Sequence, residues 1–467
     1  MISELEIRNF RSIRNDKITL EPLTVLIGAN GSGKSNLVKA LEFISDIPRS
    51  GVHLAVSKQG GRDGMVSKDI PLKDIGKYPT YIKFRSCLVP PNMEIDHPKS
   101  VDVTYEFELA FKNSGRIQIL SEKLVFYKVL YVGKVLSDKN QSPIIEHGSP
   151  EHHESDSSFS VSHKGYLPIN STNPPINEAT LNSYVYWLGL DALRNKFTTP
   201  KELHDFLQTF RTKRSRRLVG KGKRRDASTY AKGLFIDPNF PTVLDFAPQA
   251  RFFISSIESI KRYDLLLHEL RREQAPSDSP ALTKAGENMP AALRRLSSNK
   301  EAYNRLNASF KAIAPHIIDM KASSLRTGKE FVEFVESKSG RGIESWESSD
   351  GSLRALAILV ALETSDNGDT VIIEEPEQNL HPWAIRTLID HMREVVEKKN
   401  VQIIITTHSE HVLGRVEARE VRVVTRLPSK GTKFKRIDQI VLNKKIEMGE
   451  VGRLWVKGML GGVPTVQ

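Results

Sequence analysis

The stretch Leu23-Thr24-Val25-Leu26-Ile27-Gly28-Ala29-Asn30-Gly31-Ser32-Gly33-Lys34-Ser35 constrains this chain more than any other. Its first five residues read as a short apolar strand. The next eight match G-x-x-x-x-G-K-[ST], and Leu37, Leu41 and Ile44 then fall on one face of a helix. Strand, glycine loop and helix in that order make a phosphate-binding loop. Glycines let backbone N–H groups turn inward around an anion, where a Cβ would crowd the loop. The helix starting near Lys34 aims its positive dipole end at the same point. Gly28, Ala29, Asn30, Gly31, Ser32, Gly33, Lys34, Ser35 and Asn36 are therefore the candidate ATP contacts. Lys34 is expected to reach the β- and γ-phosphates, and the Ser35 hydroxyl to ligate Mg²⁺.

Far downstream, the apolar run Val371-Ile372-Ile373 ends in Glu374-Glu375-Pro376-Glu377. A buried strand that delivers acids at its C-terminal edge does so where an open α/β sheet binds its ligand. Glu374 is the candidate for the Mg²⁺ shell, and Glu375 for the general base that orients the attacking water. A third apolar strand, Gln402-Ile403-Ile404-Ile405, runs into Thr406-Thr407-His408-Ser409. His408 at that end is placed to hydrogen-bond a γ-phosphate. Ser349, Asp350, Gly351 and Ser352 precede an apolar helix near Leu353–Leu362. They read either as a plain N-cap or as a second phosphate-binding helix start.

Strands and helices alternate from Phe331 onward, which argues for a parallel sheet covered by helices. Strand-like runs from Tyr81 to about Tyr131 predict an antiparallel sheet beside it. Between these lie a polar stretch, 137–175, read as a surface insertion, and a mostly helical stretch from Asn177 to Ile318 broken by prolines. The expected organisation is an α/β head in two halves, 1–135 (phosphate loop and β lobe) and 321–467. An inserted, mostly helical lobe, 136–320, separates them.

Of 467 residues, 39% are hydrophobic and 27% charged, an ordinary globular balance. No run approaches the roughly 18 apolar residues of a membrane span. The N-terminus lacks a signal-peptide pattern, and a single cysteine, Cys87, excludes an internal disulfide. A cytoplasmic protein without a membrane role is expected. The net charge of +12 favours a polyanionic partner. Arg211, Lys213, Arg214, Arg216, Arg217, Lys221, Lys223, Arg224 and Arg225 concentrate it in one loop-like segment. That segment reads either as a solvated charged loop or as a nucleic-acid backbone contact.

The order of these motifs resembles ABC-type ATPases of the RecF/SMC-like branch. The opening Leu5-Glu6-Ile7-Arg8-Asn9-Phe10-Arg11-Ser12 is similar to the start of that branch. The segments Ser349–Arg354, Glu374–Glu377, Leu380-His381-Pro382 and Thr406–Ser409 resemble RecF-like bacterial ATPases related to overcoming-lysogenisation-defect and anti-phage systems. So does Gly452–Gly462 at the C-terminal end. The resemblance covers both ends of the chain and little of its middle third. It implies a P-loop NTPase head of ABC type, a mixed sheet with an antiparallel β lobe, and ATP with Mg²⁺ as cofactors. It implies a homodimer or higher homo-oligomer in which Ser349, Asp350, Gly351 and Ser352 face the partner subunit's ATP. Asn379, Leu380 and His381 match the loop after the acidic strand that crosses such an interface.

Two residues depart from the transporter pattern: Asp350 where a glycine is usual, and Glu374 where an aspartate is common. Gln59 is the one early candidate for the family's metal-ligating glutamine. The tail after His408 leaves no room for the nuclease domain that some relatives carry, so a nuclease or toxin effector is expected on a separate chain. The functional expectation is an ATPase sensor or motor in DNA-related defence. The alternative is a low-turnover ATP-dependent scaffold that restrains a partner protein without binding DNA. A transporter subunit fits poorly, because its phosphate loop and signature lie much closer in sequence.

Overall fold

Strands buried on both faces still alternate, and that alternation sets the layers of this protein. In Leu23–Ile27, Leu23, Val25 and Ile27 face one apolar cluster and Leu26 the other. The pattern repeats in Val371 and Ile373 against Ile372, and in Ile403 and Ile405 against Ile404. A sheet with two apolar faces must be covered on both.

A computed structural model describes residues 1–68, 70, 74, 77–88, 101–111, 117–128, 158–163, 254, 256–279, 281–428, 430–437 and 449–460. The strands are β1 Ile2–Phe10, β2 Ile13–Thr19, β3 Leu23–Ile27, β4 Thr80–Leu88, β5 Val101–Phe111, β6 Ile117–Lys128, β7 Ser158–His163 and β8 Ile260–Tyr263. They continue with β9 Ile317–Ser324, β10 Glu330–Glu336, β11 Gly342–Glu344, β12 Thr370–Glu374, β13 Gln402–Thr407, β14 Val421–Leu427 and β15 Gly431–Arg436. The helices are α1 Lys34–Lys58, α2 Gly61–Met65, α3 Leu267–Arg271, α4 Met289–Ser297, α5 Lys300–Ile313, α6 Asp350–Glu363, α7 Pro382–Lys399, α8 Glu410–Leu413 and α9 Glu450–Val456.

The central sheet has the order β15-β14-β3-β13-β12-β8. All of its pairings are parallel except the β14–β15 edge. An antiparallel sheet of order β2-β1-β4-β5-β6-β7 covers one face together with α1. Helices α4 to α7 cover the other, beside a small sheet of order β11-β10-β9. Gln402 ties the first two sheets: its side chain accepts from the Ile2 N–H at 2.9 Å and donates to the Ile2 carbonyl at 2.7 Å. Helix α1 is long but not straight. Gly51 leaves helical geometry at φ 78°, and Lys58 folds back to within 2.6 Å of Asp46.

The sequence places Ile260–Tyr263 inside an insertion, whereas β8 pairs with β12 in the central sheet. The chain thus re-enters the sheet at Ile260, well before residue 320. With only four residues, two of them Lys261 and Arg262, β8 offers no run of alternation to read. Likewise β7 falls in the polar stretch 137–175 and pairs with β6. Cys87 lies in β4, with its side chain outside the described residues. Among the described residues no helix is long and apolar enough to cross a membrane.

Candidate functional site

Parallel strands bring their C-terminal ends to one edge, and here three of them converge. Strand β13 lies between β3, which feeds the phosphate loop, and β12, which ends in Glu374. With neighbouring strands roughly 4.8 Å apart, the loop and the acids face each other across the end of β13. Thr406, Thr407 and His408 occupy that end.

The loop is shaped by close approaches that only glycine permits. A Cβ on Gly28 would strike the Val424 carbonyl oxygen, and one on Gly33, at φ 112°, would strike Thr432. Thr432 braces the loop by donating to the Ser32 carbonyl at 2.8 Å and by pairing with the Ser12 hydroxyl at 2.7 Å. Asn36 donates to Ser12 at 2.6 Å, so its side chain supports the loop from behind. Lys34 curls over the loop, with Nζ 2.6 Å from the Gly28 carbonyl and 3.2 Å from that of Ala29. Burial lowers the Lys34 pKa, against the opposing charges of Glu375, Glu374 and Glu377. An ammonium held this way, with carbonyls in place of an anion, is poised to take phosphate oxygens.

Ser35 Oγ donates to Glu374 Oε2 at 2.6 Å. Two hard oxygen donors from opposite ends of the sequence thus converge, a set that fits Mg²⁺ completed by phosphates and water. The other oxygen, Oε1, lies 2.9 Å from Arg262. Glu375 has φ 48°, uncommon for a residue with a side chain. Its N–H donates to the Thr406 carbonyl at 2.9 Å, fixing it to the end of β13. Its carboxylate accepts from the Gln378 amide and lies 3.6 Å from His408 Nε2. The His408 pKa is lowered, first by burial and then by the Lys34 charge. A neutral imidazole there can accept a hydrogen bond at one ring nitrogen and donate one from the other. Glu377 holds this corner together by accepting from Thr407 Oγ1 at 2.6 Å and the His408 N–H at 3.1 Å.

Ser349 is the N-cap of α6, with its Oγ accepting from the Ser352 N–H at 3.2 Å and donating to Ser352 Oγ at 2.8 Å. Arg271 at the end of α3 donates to the Trp346 and Ser348 carbonyls, each at 2.8 Å, and pairs with Asp350. It neutralises the one carboxylate of the segment Ser349–Ser352. Gly351 sits against the Asn379 carbonyl, where a Cβ would come to 2.5 Å. One turn on, Arg354 donates to the Glu375 carbonyl at 3.2 Å. The start of α6 and the acidic loop are therefore packed together. The side-chain partners of Ser349 and Ser352 are each other, whereas those of the phosphate loop are Glu374, Ser12 and Thr432.

Gln59 is buried at the C-terminal end of α1, where Arg11 donates to its backbone carbonyl at 3.0 Å and to its amide oxygen at 3.3 Å. That oxygen is already engaged by a cation. The cations Arg211 to Arg225 lie outside the described residues. Sequence reading missed Arg262, Arg271, Gln378 and Thr432, which belong to no short motif, and it gave Arg354 no role although that residue closes the segment Ser349–Arg354. Only Gln378 had a local signal, because it stands three residues after Glu375.

A family model described as "AAA domain, putative AbiEii toxin, Type IV TA system" matches residues 23–414. An uncharacterized protein of Methanocaldococcus jannaschii is 31% identical over 122 residues, which cover 26% of this chain and 37% of that one. The match therefore spans well under half of that relative. Solved structures with a similar course include an SMC head domain from Thermotoga maritima, at 13% identity and TM-score 0.37, with 93% of this chain and 98% of that one covered. Another is an Smc head bound to the C-winged helix domain of ScpA, at 12% identity and TM-score 0.44, covering 93% of this chain and 97% of that one.

Proposed function

This chain belongs to the AAA-domain family of the putative AbiEii toxin type, and from that premise we propose that it is an ABC-type ATPase whose two anion-binding helix starts are shared between paired copies. The observation that carries this reading is the Ser35–Glu374 contact at 2.6 Å, beside a tethered Glu375. The loop from Gly28 to Ser35 would cradle the phosphates, with Lys34 swinging from its carbonyl caps onto them. Ser35 and Glu374 would hold Mg²⁺, which supplies charge neutralisation at the phosphates when bound. Glu375 would orient and deprotonate the attacking water, and His408 would hold it in place and hydrogen-bond the γ-phosphate. Ser349–Ser352 would complete the ATP site of a second copy, as the resemblance of the motif order implies.

ATP would thus join two heads, and hydrolysis release them, a two-state element suited to gating a separate effector. A role in DNA-related defence, with a nuclease or toxin as that effector, is part of the same proposal. Its support is the basic segment 211–225 and the resemblance of the motifs. The test uses purified chain and size-exclusion chromatography with light scattering. Lys34→Ala is expected to lose ATP binding. Glu375→Gln is expected to accumulate as an ATP-bound dimer while turnover falls by about 10²-fold or more. A Glu375→Gln protein that stays monomeric in saturating ATP and hydrolyses at the wild-type rate would rule the mechanism out.

A further inference from the structure

Arg262 stands one position short of the end of β8, opposite Ile372 of β12. Its guanidinium joins two carboxylates on different elements and lies 3.8 Å from a third, Asp264, just after β8. One nitrogen is 2.9 Å from Glu374 Oε1. Another is 3.3 and 3.2 Å from the two oxygens of Glu42. Glu42 lies on α1, two turns beyond Ser35. Its burial alone would raise the carboxyl pKa, but hydrogen bonds from Lys284 and Lys39 and the charge of Arg262 hold it down at about 2. The Arg262 side chain is only 14% exposed. The guanidinium therefore links, through fixed anions, the helix that carries Ser35 to the strand that carries Glu374.

We propose that Arg262 is the positioning residue of the metal site. It takes one oxygen of Glu374 so that the other faces Ser35, and through Glu42 it sets the spacing between α1 and β12. A carboxylate free to rotate would present Oε2 to the metal only part of the time. Anchoring Oε1 removes that freedom before the metal arrives. The adjacent positive charge disfavours a cation, so orientation must outweigh repulsion for Arg262 to help. That balance makes the sign of the effect informative.

The inference rests on Ser35 and Glu374 forming the Mg²⁺ site, and the experiment separates the two claims. A fluorescent ATP analogue is bound to the full chain, first in EDTA and then with increasing Mg²⁺. For Arg262→Ala the half-saturating Mg²⁺ concentration is expected to rise about tenfold or more, with binding in EDTA unchanged. Arg262→Lys should fall between, because an ammonium cannot span both carboxylates. Glu42→Gln should shift in the same direction by less. Urea melts without nucleotide check each fold. If Arg262→Ala does not fold, the Lys and Gln variants carry the test. A titration coinciding with wild type in the folded variants overturns the proposal. So does a lower Mg²⁺ requirement, the result expected if the guanidinium merely competes with the metal. Absence of any Mg²⁺ dependence in the wild type would instead remove the metal site itself, and this inference with it.

Discussion

Glu375 shows how a single residue pays for its role. A backbone at φ 48° costs of the order of 1 kcal/mol or more in a residue with a Cβ. The cost is met by the Glu375 N–H bond to the Thr406 carbonyl and by the Arg354 bond to the Glu375 carbonyl. The resulting turn aims the carboxylate at His408 rather than back along the strand. At Gly33 the constraint is the reverse, since no side chain fits against Thr432. Gly33→Ala is expected to abolish nucleotide binding and to destabilise the fold by about 1–3 kcal/mol. Calorimetric ATP titration and urea denaturation measure the two effects. Glu374, Glu375 and Lys34 were legible because a strand before them and a helix after them fixed their context. Arg262 was not, because its partners are set by sheet order rather than by neighbours in the chain.

Among the elements, α6 is the most constrained. Every residue from Ala355 to Glu363 is buried, so the helix is held from all sides and presents only its start to solvent. Its far end is pinned by Glu363, whose carboxylate meets Arg305 of α5 at 3.0 and 2.8 Å and His391 of α7 at 3.3 Å. Burial pushes the Glu363 pKa up, but hydrogen bonds from His391 and Arg305 more than reverse this and leave it lowered. Removing one member of such a buried group strands the others. Glu363→Ala is expected to cost about 3–5 kcal/mol near neutrality by urea denaturation. The sign of the pH effect follows from the lowered pKa. The carboxylate's contribution is full above the unfolded-state value and lost as pH falls through the folded-state value. The gap between wild type and variant should therefore narrow in acid. The helix itself was readable from its apolar run, whereas its anchor joins residues from three helices.

At the scale of the molecule, the layered arrangement brings the phosphate loop and the acidic loop to one edge of the central sheet, with Gly351 and Arg354 packed against the acidic loop. The basic segment 211–225 then decides between a DNA-responsive motor and a scaffold. Replacing its cations with glutamine should abolish any stimulation of ATP turnover by duplex DNA and leave turnover without DNA unchanged. In the wild type, the stimulation should weaken steeply between about 50 and 200 mM salt as counterions are released. Turnover indifferent to DNA at every salt concentration would favour the scaffold. Coupled phosphate-release assays read all of these outcomes.

The sequence by itself determined the phosphate loop, the acidic strand, the strand ending in His408 and the helix behind Ser349. Each is a local pattern in which apolar period and loop chemistry coincide within a few residues. It also determined that a parallel sheet lies beside an antiparallel one. Only the tertiary structure decided that β8 belongs to the central sheet and that β13 separates β3 from β12. It alone brought Arg262 to Glu374 and Arg271 to Asp350. Those pairings depend on strand order and on helix ends meeting across long sequence separations. A side chain's reach across a sheet edge leaves no periodic trace in the chain that carries it.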